Sequence, residues 1–144
     1  MATNKELNRA IVLATTAHKD QVDRGGQPYI LHPLRVMLSV KSLDEKIVAV
    51  LHDVIEDTEI TSKDLLVDFP TYIVEAVESV SRKDNETYIQ FIKRADLNSI
   101  GRVVKIANIK DNLNLNRPGS LEFLSGGICK RYYEALYYLE GDHK

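Results

Sequence analysis

The sequence predicts an all-α fold, on three observations. Apolar residues recur at helical spacing through most of the 144 residues. The breaks between these stretches are short, polar and supplied with helix-starting residues. Strand-like alternation closed by hairpin turns is nowhere clear. Helices packed around one core are the economical arrangement. The length fits one domain, residues 1–144.

The elements follow in order. A first helix is expected over about Asn4 to Val22, with Leu7, Ala10, Ile11, Ala14, Ala17 and His18 along one face. Arg24-Gly25-Gly26-Gln27-Pro28 ends it in a loop. A second helix follows Pro33, through Leu34, Val36, Met37 and Val40, because proline suits a first helical turn. Asp44 caps a third from Glu45 to about Glu56. Its run Ile47-Val48-Ala49-Val50-Leu51 is apolar on nearly all sides, which places it centrally.

Thr61-Ser62-Lys63-Asp64 reads as an N-cap with an acidic third residue. Pro70 opens the next helix, which carries Ile73, Val74, Ala76, Val77 and Val80. A polar loop from Ser81 to Glu86 follows, then a helix capped by Thr87 with Tyr88, Phe91 and Ile92. Another helix spans about Ser99 to Leu115, and Arg117-Pro118-Gly119-Ser120 breaks the chain. The last helix carries Ile128, Tyr132, Tyr133, Leu136, Tyr137 and Leu139.

Composition narrows the function. Hydrophobic residues make up 44%, charged residues 28%, and the net charge is −2, so no basic face invites a nucleic-acid polymer or a membrane. The first residues lack the apolar core of a signal peptide, and no apolar run approaches a membrane span. The single cysteine, Cys129, excludes an internal disulfide and a Cys-based zinc site, and it suits the cytoplasm.

The chemistry gathers in three places. His52-Asp53-Val54-Ile55-Glu56-Asp57 sets one imidazole and three carboxylates at the end of an apolar helix. A divalent cation would neutralise them, and the donor mix suits manganese, iron, zinc or magnesium. The same cluster also fits a solvated acidic helix end. His18 and His32 precede it, and His143 falls in the tail. Arg24-Gly25-Gly26 combines an anion-pairing fork with exposed backbone, although a plain interhelical turn explains it as well. Arg82-Lys83 reads as solvated charge. From Lys105 to Leu113, Asn108, Asp111 and Asn112 interrupt an apolar pattern. The tyrosines of the last helix fit a core edge, a homo-oligomer contact or a base-stacking surface.

These segments together resemble the HD hydrolase domain of RelA/SpoT-type proteins and the stand-alone small alarmone hydrolases. The matching pieces are Ala17-His18 with Gln21 and Arg24, Gly26-Gln27-Pro28-Tyr29-Ile30-Leu31-His32-Pro33, Leu51 to Thr58, and Lys105 to Leu113. The resemblance implies a single HD-domain helical bundle and a manganese-dependent pyrophosphohydrolase that removes the 3′-pyrophosphate of the nucleotide (p)ppGpp. It implies His32, His52 and Asp53 as metal ligands, Glu56 and Asp57 as the groups that orient or activate water, and Arg24 and Asn112 as nucleotide contacts. The family's fourth ligand is an aspartate in a Leu-Ala-Asp-like stretch. Here that stretch is Ile106-Ala107-Asn108, whose carbonyl oxygen is uncharged, so lower metal affinity is expected. Asp111 is an alternative ligand. The substitution also raises a second reading, a domain that binds a nucleotide without turning it over.

Overall fold

Four helices begin with a reciprocal cap, a hydroxyl taking the third backbone N–H while the third side chain takes the cap's own N–H. Thr3 and Glu6 open α1 (Asn4–Ala17), Ser42 and Glu45 open α3 (Leu43–Leu51), Thr61 and Asp64 open α5 (Ser62–Asp68), and Thr87 and Gln90 open α7 (Tyr88–Asp96). The remaining elements of this computed structural model, which describes residues 2–141, are α2 (Leu31–Ser39), α4 (Val54–Asp57), α6 (Thr71–Ser79), α8 (Ser99–Asn112), α9 (Ser120–Phe123) and α10 (Gly127–Glu140). No strand forms among the described residues, and the all-α expectation is met. His143 lies outside the described residues. No helix among them is long and apolar enough to cross a membrane.

The central position expected for the Ile47–Leu51 run is what the molecule shows. All five residues have no exposed surface, and α3 packs against α1, α2, α6 and α8. A second apolar cluster of Ile92, Ile109, Tyr132, Ala135 and Leu139 joins α7, α8 and α10. The two cores share α8, whose opposite sides face α3 and α10 and whose polar residues lie between.

Several boundaries differ from expectation, each for a local reason. α1 stops at Ala17 rather than Val22, because the chain turns back on itself. Tyr29 donates its N–H to Gln21, Asp23 donates to Gln27, and a bridge joins Val22 to Pro28. α2 starts at Leu31, two residues before Pro33, which sits in the first turn where a missing N–H costs nothing. Ser42, not Asp44, caps α3. The helix expected to run unbroken to Glu56 ends at Leu51. There the His52 imidazole Nδ1 lies 2.6 Å from the Ala49 carbonyl oxygen, which also accepts the His52 main-chain N–H at 3.3 Å. α8 ends at Asn112 rather than Leu115, and α9 forms just after the break at 117–119.

Two loops are held by specific contacts. Gly25 lies so close to the 117–119 turn that a β-carbon would fall 2.5 Å from the Pro118 carbonyl oxygen. Replacing Gly25 with alanine should therefore push the turn outward and cost about 1–3 kcal/mol, read as a lower urea midpoint at unchanged slope. An unchanged midpoint would show that the two turns are not packed together.

The loop after α6 is fastened by Arg94, which forks onto both carboxylate oxygens of Glu86 at 2.8 and 3.0 Å and also donates to the carbonyls of Glu78 and Ser81. Hydrogen bonding from Arg94 holds the Glu86 carboxyl down at about 2, against an ordinary 4.5. A carboxyl depressed by folding contributes stability above its unfolded value and loses it as pH falls through the folded one. The stability difference between the parent protein and Glu86→Gln should therefore be full above about pH 4.5 and vanish toward pH 2. Its plateau should be about 1–2 kcal/mol, measured by denaturant titration across that range. A pH-independent difference would refute the assignment.

Candidate metal centre and its cavity

The break after α3 is what brings the polar groups together. His52 closes α3 and Asp53 opens α4, so the two adjacent side chains converge instead of pointing a hundred degrees apart around one helix. His32, from the first turn of α2, completes a cluster with them, the three donor atoms lying within 4.8 Å of one another. His32 and His52 are 3% and 1% exposed. Their rings meet edge to face with centroids 5.1 Å apart.

The hydrogen bonds assign the ring protons. His52 Nδ1 faces the Ala49 carbonyl, so it carries the proton and donates it. His52 Nε2 lies 3.0 Å from Asp53 Oδ2. His32 Nδ1 lies 2.6 Å from Asp111 Oδ2, and its Nε2 lies 3.0 Å from Asn108 Oδ1. Burial lowers the His32 pKa, favouring the neutral ring. Two acceptors thus face each other across 3.0 Å at His32. At His52 burial opposes the charged ring, but the Asp53 carboxylate outweighs it and raises the ring's pKa, so a proton or a cation fills the space between Nε2 and Oδ2. The pair at His32 repels unless a cation lies between, and about 3 Å is the separation of neighbouring ligands each about 2.1 Å from one ion. The imidazole–carbonyl and imidazole–carboxylate backing of both Nδ1 atoms is the usual outer support of metal-binding histidines. The residues present fit a divalent cation held by His32 Nε2, His52 Nε2, Asp53 Oδ2 and Asn108 Oδ1.

Asp111 does not join that set. It sits on the Nδ1 edge of His32, on the far side of the ring from Nε2, which corrects its expected role as an alternative ligand. It instead accepts from Arg35 at 2.8 and 3.1 Å and from Arg117 at 3.1 Å. Against the upward pull of burial, His32 and Arg35 hold its carboxyl far below the ordinary range. Arg117, read in the sequence only as part of a break, is 7% exposed and also reaches Asp23 and Asn112. His18 is buried beside Tyr29, outside the cluster. Tyr29 was likewise given no role by the sequence, yet its hydroxyl donates to Asp53 Oδ2. Burial and Asp53 push its pKa up, so it stays a donor.

The other expected site residues line one cavity of about 380 Å³ with His32 and Asp53. Glu56 and Asp57 project from α4 beside Asp53. Burial, Asp53 and Glu56 raise the Asp57 carboxyl to about 6, a value suited to passing a proton near neutrality. Glu56 accepts the backbone N–H of Arg82 at 2.6 Å, so Arg82, read as solvated, stands at the cavity rim. Arg24 donates to the Asn112 carbonyl at 3.0 Å and lies 3.9 Å over the Phe123 ring. Asn112 Nδ2 donates to Asn108 Oδ1 at 3.3 Å, which turns that oxygen's environment toward the cavity. Of the tyrosines of α10, Tyr132 is buried at the cavity wall, whereas Tyr133 and Tyr137 are 59% and 80% exposed. A larger cavity of about 760 Å³ lies across α8, beside Arg35 and Lys110, and reaches neither imidazole.

Because Asp111 supports His32 electrostatically, Asp111→Asn should keep an acceptor for Nδ1 but weaken binding of Mn²⁺ about 10-fold, measured by calorimetric titration. Unchanged affinity would show that Asp111 serves only Arg35 and Arg117.

The sequence pattern of the HD domain matches residues 10–111. The chain is 40% identical over 82 residues to guanosine-3′,5′-bis(diphosphate) 3′-pyrophosphohydrolase of Vibrio cholerae serotype O1, covering 54% of this chain and 12% of that protein. It is 42% identical over 84 residues to the bifunctional (p)ppGpp synthase/hydrolase SpoT of Escherichia coli K12, 56% of this chain and 12% of that protein. A probable guanosine-3′,5′-bis(diphosphate) 3′-pyrophosphohydrolase of Mycoplasma genitalium matches at 34% over 120 residues, 78% of this chain and 15% of that protein. The chain therefore spans only a small part of the length of these relatives. A solved structure described as a metazoan ortholog of SpoT that hydrolyses ppGpp superposes with a TM-score of 0.73 at 17% identity, over 96% of this chain and 87% of that one. With the family pattern covering most of the chain and the fold shared, this chain belongs to the HD-domain family.

Proposed function

We propose that this chain is a manganese-dependent hydrolase of the cytoplasm that removes the 3′-pyrophosphate of (p)ppGpp. The observation that carries the reading is the pair of buried imidazoles, each with Nδ1 occupied by an acceptor and Nε2 turned toward an acceptor oxygen. The relatives whose names carry this activity lend it a substrate. His32, His52, Asp53 and Asn108 would hold the cation. When bound, it polarises phosphoryl oxygens and makes a bound water more acidic.

The chain's own groups do the rest. Asp57 takes the proton of the attacking water, and Glu56, anchored by the Arg82 N–H, keeps that water beside it. The water oxygen bonds to the phosphorus carried on the ribose 3′ oxygen, the bond between that phosphorus and the 3′ oxygen breaks, and the 3′ oxygen leaves as a hydroxyl after gaining a proton. Arg24 and Asn112 position the nucleoside end of the substrate. Asn108 does not favour a binding-only protein, because its carbonyl oxygen faces His32 Nε2 as a ligand would. Tyr133 and Tyr137 of α10, both exposed, offer a face for a second copy of the chain.

The test is pyrophosphate release from ppGpp with Mn²⁺, for the parent chain and for Asn108→Asp. Both should be active, with the half-saturating Mn²⁺ concentration about 10-fold lower for Asn108→Asp, since a second carboxylate adds charge to the ligand set. Silence in both, with Mn²⁺ bound, would overturn the hydrolase reading.

A further inference from the structure

Three more cations line the cavity that holds Arg24, and none of them has a carboxylate partner among the described residues. Lys105 of α8 is only 7% exposed, yet its ammonium meets the rings of Phe91 at 4.5 Å and Tyr88 at 6.0 Å. Arg131 of α10 lies 4.4 Å over Tyr88, and Arg82 of the loop after α6 lies 5.8 Å from the same ring. Tyr88 itself keeps a buried hydroxyl with no partner. Arg24, which donates to the Asn112 carbonyl and the Ser120 hydroxyl, also lacks a carboxylate, whereas the remaining arginines near this site are matched. Arg94 forks onto Glu86, and Arg35 and Arg117 hold Asp111.

A buried ammonium without a paired carboxylate is expensive, and the two exposed guanidinium groups beside Lys105 add to the positive charge around one phenol. Burial is what most disfavours the Lys105 ammonium; the more distant Asp53 and Glu56 outweigh the repulsion of Arg131 and Arg82 but not the burial. The arrangement is understandable if an anion completes it. All four side chains line the cavity that holds His32 and Asp53. The adjoining wall is aromatic: Arg24 covers Phe123, Phe123 stacks with Tyr132 at 6.3 Å, and Tyr132 lies 6.4 Å from Tyr88. That wall suits a nucleoside, whereas the Tyr88 wall offers charge and donors.

We infer that Arg82, Lys105, Arg131 and the Tyr88 hydroxyl form a subsite for the outer phosphate of a diphosphate group whose inner phosphate lies at the metal centre. The inference rests on the proposed hydrolase reading for the group's orientation. It adds that the enzyme selects a 3′-diphosphate over a 3′-monophosphate through this wall. Guanidinium groups pair with phosphate oxygens in a fork, and a buried ammonium adds an unscreened charge.

Calorimetric titration of the Mn²⁺-loaded full chain with inorganic pyrophosphate and with orthophosphate tests it. The parent should bind pyrophosphate at least about 10-fold more tightly than orthophosphate. Arg131→Gln, at an exposed position, and Lys105→Met, which keeps the packing on Phe91, should each weaken pyrophosphate about 5- to 10-fold and leave orthophosphate unchanged. Arg131→Lys should recover part of the loss. Equal weakening of both anions, or no change in either, would overturn the subsite. Thermal melts check that each variant is folded, and if Lys105→Met is not, the two Arg131 variants decide. Kinetics separate the two readings. Turnover of ppGpp with KM unchanged in both variants would keep the hydrolase and remove the subsite. Selective pyrophosphate binding without turnover would keep the subsite and remove the hydrolase.

Discussion

Two imidazoles and a carboxylate must be taken out of water at the tip of the most apolar helix, and much of the surrounding structure answers that requirement. Each polar group buried there needs a partner. His52 finds a main-chain carbonyl three residues back, at the cost of ending α3. His32 finds Asp111, which in turn needs Arg35 and Arg117. Arg117 reaches Asp23 in the loop between α1 and α2, and that loop is packed through Gly25 against the turn that carries Arg117. One buried ring thus organises two loops far apart in sequence.

The remaining charges, of both signs, meet in the cavity. Asp53, Glu56 and Asp57 cluster at the start and along α4, in a cavity also lined by Arg24, Lys105, Arg82 and Arg131. Burial works against both signs. It raises the Asp57 carboxyl to about 6 and lowers the Lys105 ammonium to about 8. Groups held so near neutrality are costly to a fold and useful to proton and phosphoryl chemistry, which is where such costs are usually tolerated.

The sequence showed the fold well where one residue type had one physical meaning. The caps at Thr61 and Thr87 and the central apolar run Ile47–Leu51 are as the pattern implied, because hydroxyls at helix starts and all-round apolar helices have few other uses. It was less informative where a side chain shares a carbonyl with the main chain. The break at His52 depends on an imidazole proton reaching a carbonyl, and periodicity carries no trace of that. The cluster His32, His52 and Asp53 was legible through resemblance, and geometry brings it together. Tyr29, Arg117 and Arg82 were not, since a tyrosine in a loop and arginines near turns are ordinary surface residues in most proteins. Their positions follow from long-range packing of α8 and the 117–119 turn, which no local pattern encodes. Lys105, set between Val104 and Ile106 in an apolar stretch, is the one local sign in the sequence of a charge drawn into the interior.

Asn108 is the feature in which chemistry and stability meet. With Asp53 as the single carboxylate among His32, His52, Asp53 and Asn108, two positive charges of a divalent cation would meet one negative ligand. The site should hold the cation less firmly than a two-carboxylate site would. By the same balance, more of the cation's charge is left to act on a phosphoryl oxygen and on water, and the ligand set attracts an anionic substrate more strongly. The neutral amide also spares the buried site a second carboxylate beside Asp53 before a cation arrives, a repulsion that would otherwise have to be met by the fold. Exchanging charge for an amide at this position therefore trades affinity for acidity while keeping the ligand oxygen in place. The donation from Asn112 that orients Asn108 makes that exchange geometrically safe, because it directs the carbonyl oxygen rather than the amide nitrogen toward His32.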